Sequence, residues 1–493
     1  MIAGISEAQE KIIIDILKSY FADFSFYYYG SRVKGGFEAT SDLDILIKAK
    51  TNPKQTKIPS AILEEIKEKF DQSNLPFVVN FSEFANVDDG FYEMIRGNLV
   101  RVDWKKEKLS KIAYEVRDGY QPKASDNFIY IGLEHIEQQS LRLCGKGLSS
   151  EIKSTKRHFQ NNDILFGSLR PYFRKVVKPK FSGICSTDIT VIRANPDVSN
   201  QGFLYYLIAD ESFINHASNI ANGSRMPRAN WQVLSKSEWV IPNSLETQQK
   251  IAGILSAYDD LIENNNKRIK ILEEMAQMLY KEWFVDFKFP NHQNTKFVDS
   301  EFGKIPEGWE VVDLDKKIDI RKGKNITKNT VKDGNIPVVA GGLSPAYYHN
   351  EFNTEAPVIT VSASGANAGY VNLYHSNIWA SDCSFIDKKT TPFVCFYYLF
   401  LKNKQIEITG LQRGSAQPHV YPKDLMGLKI FNIPNSLISG FEEKILPIFL
   451  LLKNLDQKNT HLKQTRDLLL PRLISGELSV ENLQVKYNER TQH

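Results

Sequence analysis

Apolar periodicity divides the chain into a front segment and a longer, repeated body. In the first hundred residues apolar positions recur at helical spacing from Ala8 to Phe21 and from Ile58 to Phe70. Short apolar or aromatic runs lie between and after them: Phe24 to Tyr29 closing on Gly30, Leu43 to Ile47, and Pro76 to Phe81. These runs predict three strands, and with the two helices they predict a small α/β unit over residues 1–104. A lysine-rich stretch after Trp104 (Lys105, Lys106, Lys108, Lys111) marks its boundary.

From there the pattern repeats. Leu109 to Gly119 is echoed by Leu314 to Gly323, and Phe203-Leu204-Tyr205-Tyr206-Leu207 by Cys395-Phe396-Tyr397-Tyr398-Leu399. Gly223-Ser224, Pro227 and Ile241-Pro242 line up in the same order with Gly414-Ser415, Pro418 and Ile433-Pro434. An ordered repeat at nearly constant offset fixes the architecture before any motif is read. Each copy ends in heptads. Ile251, Tyr258, Asn265, Leu272 and Leu279 form one rail, and Leu255, Ile262, Ile269, Ala276 and Trp283 a second. Near the end the rails are Phe441, Ile448, Leu455, Leu462, Leu469 and Ile445, Leu452, Asn459, Arg466, Leu473. Heptads this long predict two coiled-coil helices, the first spanning roughly 60 Å at ~1.5 Å per residue. In one chain they most simply pair with each other and hold the two halves apart. An asparagine on a rail costs stability and fixes register, so Asn265 and Asn459 are suited to meet across the seam or to face another subunit. The breaks give two repeated halves, residues 105–243 and 300–436, spacer helices at 244–290 and 437–480, and a tail at 481–493.

Composition adds little beyond exclusions. Apolar content of 42% and charged content of 24% suit a folded chain, and a net charge of +4 says less than its distribution. Cys144, Cys185, Cys383 and Cys395 show no CxxC spacing, which favours neither disulfides nor zinc. Acidic residues at Glu7, Glu10 and Asp15 argue against a signal peptide. The most apolar run, Ile445 to Leu452, is far shorter than the roughly 20 residues of a membrane span, so a cytoplasmic protein is expected.

Candidate chemistry begins at Gly30-Ser31-Arg32, Gly35 and Ser41-Asp42-Leu43-Asp44. Glycine and serine after a strand let backbone N–H groups approach a triphosphate at a helix start, making Gly30 and Ser31 nucleotide-binding candidates. Asp42 and Asp44, two apart, project from one face and are candidates both for catalysis and for holding magnesium. The pattern resembles the polymerase-beta-like, or minimal, nucleotidyltransferases, implying magnesium and a nucleoside triphosphate. In that family a third carboxylate comes from a later strand. The corresponding residue in Val78-Val79-Asn80-Phe81 is Asn80, which brings no charge and counts against transferase activity. Glu83, at odd offset, falls on the other strand face.

A larger resemblance covers Lys105 to Val480. Asn162 to Gly167 with Leu169-Arg170-Pro171-Tyr172 and Gly183 to Asp188 is similar to a target recognition domain of type I restriction–modification specificity subunits. Gln249-Lys250-Ile251-Ala252 and Asp259-Asp260-Leu261-Ile262-Glu263 resemble that family's central helix, Gly308-Trp309-Glu310-Val311 the opening of its second recognition domain, and Leu470 to Leu478 its closing stretch. The resemblance implies an α/β multi-domain chain. A nucleotidyltransferase-like domain would precede two α/β target recognition domains, separated by two long helices packed as an antiparallel coiled coil. It implies double-stranded DNA with a split target as ligand, methyltransferase (modification) subunits docked on the helices and a restriction subunit joining for cleavage, with no membrane partner.

Basic residues among aromatics support DNA contact. Arg170, Arg174, Lys175, Lys178 and Lys180 surround Tyr172 and Phe173, Arg225 and Arg228 flank Pro227, Arg321, Lys322, Lys324 and Lys328 crowd a glycine-containing loop, and Arg413 precedes Gly414. The candidate DNA-binding set is Arg170, Arg174, Lys175, Lys178, Arg225, Arg228, Lys322, Lys324 and Arg413. No Gly-Lys pair continues into Ser or Thr, no Asn-Pro pair continues into a second proline, and the histidines are dispersed. The body therefore reads as non-catalytic alone, a part of a restriction and methylation complex. Two alternatives stay open: a nucleotidyltransferase modifying a protein or RNA with a targeting arm, and a degenerate regulatory nucleotide-binding domain.

Overall fold

The computed structural model describes residues 4–480 apart from 22, 39–40, 124, 224, 301–302 and 415–416, so the 481–493 tail and the repeat serines Ser224 and Ser415 lie outside the described residues. The chain forms two compact units, Met1–Asp260 with Leu462–His493, and Leu261–His461.

The first unit opens with helix α1 (Glu7–Tyr20), started by a capping box in which Ser6 Oγ accepts from Gln9 N–H and the Gln9 side chain returns to Ser6 N–H. Strand β1 (Phe24–Tyr29) pairs antiparallel with β2 (Leu43–Ala49) and with β4 (Val100–Arg101), while β3 (Val79–Glu83) runs parallel to β2. Between β1 and β2 lies the short helix α2 (Ser31–Lys34); α3 (Ser60–Asp71) covers the sheet and α4 (Asp89–Arg96) precedes β4. Ile13, Leu17, Tyr28, Leu43, Ile45 and Ile66 close the core. No flexible tether follows: β5 (Trp104–Lys108) pairs with Glu238–Pro242 of the first recognition half, and Trp104 is 1% exposed.

The repeat is real in three dimensions. In the first half Ile164–Gly167 pairs antiparallel with Ile189–Ala194, and Ile131 lies parallel to Cys185. In the second, Val358–Ser362 pairs antiparallel with Cys383–Asp387, and Val338 lies parallel to Trp379. The matched aromatic segments are equivalent core helices, Gln201–Ala209 and Val394–Asn403. Both are apolar nearly all round and buried accordingly.

Each heptad segment is a single helix, Leu245–Phe284 and Asn435–Ile474. Within the first unit, Ile251 and Leu255 share a core with Leu470 and Leu473, and buried Arg466 donates to Asp259 at 2.6 Å. Within the second, Ala276, Tyr280 and Trp283 pack with Phe441, Ile445 and Leu452. The seam asparagines meet there: Asn265 Nδ2 donates to Asn459 Oδ1 at 3.0 Å, and Asn459 Nδ2 to Asn266 Oδ1 at 3.0 Å. In each unit the pairing is antiparallel. Among the described residues no helix is long and apolar enough to cross a membrane.

Candidate nucleic-acid interface and front-domain site

In the front domain Gly30 ends β1 at φ +82° and starts α2. A Cβ there would lie 2.2 Å from Asp44 Oδ2, so glycine is required both by its backbone and by its neighbour. Asp42 immediately precedes β2 and Asp44 lies within it. Asn80 is the register partner of Asp44 across the parallel β2–β3 pair. Its Nδ2 donates to Asp42 Oδ2 at 3.0 Å and its amide also bonds Asp44. Burial raises the Asp44 carboxyl above its ordinary range, and Asp42 adds to the rise while the Asn80 bond opposes it. Arg32 lies beneath: Nε and Nη2 donate to Ser41 O at 2.9 and 2.6 Å, and the guanidinium sits 4.3 Å over the Phe77 ring. Glu83 accepts from Ile58 N–H and Asn86 Nδ2, away from the aspartates.

This donor set does not fit two magnesium ions. At the third position Asn80 presents N–H to the carboxylates that would have to bind metal, and among the described residues no group of three His, Cys, Asp or Glu could hold one. Exposed Ser31 begins a helix of only four residues, a weak phosphate site.

In the first recognition half a loop folds back so that Arg228 bridges both Leu169 and Asn222. Arg170, in the left-handed region at φ +51°, donates its backbone N–H to Pro227 O at 2.7 Å and its Nη2 to Arg225 O at 3.3 Å. Arg228 Nε and Nη2 donate to Asp188 Oδ1 at 3.0 and 2.7 Å. Arg170, Arg225 and Arg228 thus share one edge with exposed Tyr172 and Met226.

Three neighbours in sequence leave that edge. Arg174 Nε donates to Ala209 O at 2.7 Å, its Nη2 lies 3.9 Å from Asp467, and its side chain is 13% exposed. The Lys175 ammonium is tied to Leu133 O. Burial, with neighbouring Lys180, pushes the Lys178 amine below its ordinary range. Local clustering predicted contact with DNA for all three; the fold ties Arg174 and Lys175 back to backbone carbonyls and leaves Lys178 half-buried. Lys180 pairs with Asp260 at 2.9 Å.

The second half repeats the loop. His419 bridges Ser364 and Arg413 as Arg228 bridges Leu169 and Asn222. The supporting backbone bonds correspond: Ala229 N to Ser168 O and Val420 N to Ala363 O (both 3.0 Å), Arg170 N to Pro227 O and Gly365 N to Pro418 O (2.7 and 3.1 Å), Ser168 N to Asp188 O and Ala363 N to Asp382 O (2.9 and 3.2 Å). Arg413 Nη2 donates to Asp424 Oδ1 at 2.7 Å. Lys322 and Lys324 are exposed on either side of Gly323, whose virtual Cβ would meet Ser381 O at 2.1 Å. Arg321 is withdrawn, bonded to Asp387 and to Thr390 Oγ1. Sequence reading gave no role to the carboxylates Asp188 and Asp424, which become partners of Arg228 and Arg413 only through the fold.

Residues 102–274 and 306–468 match the family described as type I restriction modification DNA specificity domain, and residues 10–126 match the nucleotidyltransferase domain family. The MjaIX specificity subunit of Methanocaldococcus jannaschii is 28% identical over 59% of this chain and 75% of its own length. The HindI specificity subunit of Haemophilus influenzae is 23% identical over 76% of this chain and 100% of its own. A probable protein adenylyltransferase, MntA, of H. influenzae is 30% identical over 20% of this chain and 83% of its own length. The crystal structure of a type I restriction–modification S subunit from M. genitalium is 16% identical, covers 76% of this chain and 96% of its own, and gives a TM-score of 0.46. With two duplicated halves, two paired helices and a specificity-domain match over more than half its length, the chain belongs to the type I restriction–modification DNA specificity subunits and carries a nucleotidyltransferase domain at its front.

Proposed function

We propose that this chain reads a two-part double-stranded DNA target in the cytoplasm, one half-site per recognition half, with the paired helices setting the spacing. The observation that carries the reading is the duplicated bridge, Asn222 with Arg228 and Arg413 with His419, held by the same backbone bonds and carrying exposed Arg228 and Arg413. Proteins with two such readers bind half-sites at a separation that follows their own geometry. Methyltransferase subunits dock on the helices, and a restriction subunit joins for cleavage. Exposed Ile271, Met275 and Met278 on one helix, and Leu446 and Leu450 on the other, supply apolar area for that docking. Phosphate contacts from Lys322, Lys324 and Arg225 supply affinity.

The test is co-purification with its co-expressed genomic neighbours, followed by base-resolution mapping of adenine methylation in the host. A copurifying methyltransferase and one split motif, lost on deletion of this gene, are expected. A chain that purifies alone, with no motif depending on it, refutes the reading.

Asp42 and Asp44 beside Gly30, with the adenylyltransferase relative, favour a second activity: nucleotidylation of a protein or RNA. Against it stands Asn80, and we assign the front domain a non-transferring role as a nucleotide- or partner-binding module. Changing Asp42→Asn and Asp44→Asn is expected to leave partner proteins and RNA equally unmodified; disappearance of a modification seen with the native chain would establish the enzyme.

A further inference from the structure

We infer that Arg228 and Arg413 are the base-reading side chains of the two recognition halves, each a guanidinium held by a carboxylate so that it presents donors to guanine in the major groove. The inference rests on the DNA-reading function proposed above and names where that reading is done. In each half the folded-back loop carries one arginine that is both half-exposed and fixed. Arg228 is 54% exposed with Nε and Nη2 on Asp188, and Arg413 is 66% exposed with Nη2 on Asp424. The residues that carry the carboxylates are themselves anchored. The Asp188 backbone is held on both sides, its N–H donating to Ser186 Oγ and its carbonyl accepting from Ser168 N–H, and Asp424 Oδ2 accepts from Tyr421 N–H at 3.1 Å.

This arrangement suits a base and exceeds what a phosphate needs. A phosphate accepts a mobile cation from many directions, whereas guanine O6 and N7 require two donors in a fixed plane. Bonding through Nε and Nη2 leaves Arg228 Nη1 and the outer N–H of Nη2 as such a pair. An arginine already held in place also loses less side-chain freedom on binding. Arg225, Lys322, Lys324 and Lys328 have no carboxylate partner among the described residues and suit phosphates instead. The two readers occupy opposite legs of equivalent loops. Arg228 faces Asn222 and Arg413 faces His419, so the arginine of one half sits where the other half has asparagine. The guanines read therefore fall at different steps of their half-sites, and the target is not a palindrome.

The experiment places Arg228→Lys and Arg413→Lys separately in the full complex with its methyltransferase subunits, in a host lacking the native gene, and maps adenine methylation at base resolution. Lysine keeps the charge and loses the fork. Arg228→Lys is expected to relax one position of one half-site, lowering discrimination there roughly 5- to 150-fold, the equivalent of about 1–3 kcal/mol for a bidentate contact. Arg413→Lys is expected to relax one position of the other half-site. Asp188→Asn, which leaves Arg228 intact, is expected to relax the same position as Arg228→Lys, and copurification with the methyltransferase checks that each variant folds. An unchanged motif in both lysine variants, or an even loss of methylation across every position, overturns the inference. A native chain on which no motif depends would instead remove the DNA-reading function itself.

Discussion

The asparagine pair in the helix seam gives a measurable test of how the spacer is held. Asn265 and Asn459 are 8% and 4% exposed, and the Asn265 amide donates to Asn459 Oδ1 at 3.0 Å. Changing Asn459→Leu leaves a buried Asn265 amide without its acceptor, while half-buried Asn266 can turn to water. The cost is one buried unsatisfied donor, about 1–3 kcal/mol. Replacing both by leucine removes both polar groups from the seam, so the double variant is expected near native stability or above it, a coupling of similar size and opposite sign. Hydrogen–deuterium exchange of peptides over residues 258–272 and 452–466 reads this locally, since about 1–3 kcal/mol corresponds to roughly 5- to 150-fold faster opening. Fast exchange in the single variant and native or slower exchange in the double is the expected pattern. A silent single variant, or a double variant as weak as the sum of the singles, would falsify the argument. Leucines at both positions also remove the polar registry mark, so crosslinks placed along the seam should report a mixture of heptad registers.

Changing Asn80→Asp supplies the third carboxylate, and calorimetric titration with magnesium or manganese is expected to show binding that the native chain lacks; equal binding by both would sink the reading of Asn80. Arg174→Ala loses a charge-assisted bond to Ala209 O and should lower the thermal stability of the first unit by about 1.5–3 kcal/mol while leaving the methylation motif unchanged. Lys322→Ala and Lys324→Ala should instead weaken DNA binding evenly across sequences and reduce the salt slope by about 1 each in filter-binding titrations. Burial holds the His375 imidazole below its ordinary range, with Asp456 opposing and Lys453 reinforcing the shift. The folded state then resists a proton that the unfolded state accepts, so stability falls as pH drops through the unfolded value of about 6.5. A His375→Asn variant should show a shallower fall in melting temperature between neutral and mildly acid buffer, and an identical fall would exclude this group as its source.

What was legible in the sequence follows from how far each feature depends on distant residues. Heptad rails encode burial in one dimension, and every rail residue from Ile251 to Trp283 is buried or half-buried as the pattern requires. The all-apolar segments around Phe203 and Phe396 were legible as a repeat and not as helices, since a short apolar run suits a buried strand equally. By contrast α4 escaped notice because its eight residues begin with Asp89-Gly90, although the Asp88 carboxylate before them, accepting from Phe91 N–H at 2.9 Å, is a recognisable start signal. The basic cluster at Arg170 to Lys178 read as one surface. Its division depends on left-handed backbone at both Arg170 and Arg174, and on partners such as Ala209 and Asp467 that no local window contains. The carboxylates that fix Arg228 and Arg413 were hidden in the same way, since contact across the fold makes them useful.

The front domain adds a last step. An accessory unit on a tether would meet the body through a polar linker and a wet surface, whereas here the boundary is interior. Val240, on the strand paired with Trp104 to Lys108, packs against the cores of both the front domain and the first recognition half. Tyr27 Oη donates to Gly476 O at 3.2 Å. Gly476, at φ +75°, lies so close to Trp104 that a Cβ would stand 3.0 Å from the indole. Lys48 and Tyr92 sit in the field of Glu477. The front domain is thus seated on the closing Leu470 to Leu478 segment, and undocking it would strip Val240 of its front-domain contact and break the bond from Tyr27 to Gly476. A swinging arm is incompatible with that cost. The Asp42–Asp44–Asn80 cluster is thus carried on the same compact unit as Arg228.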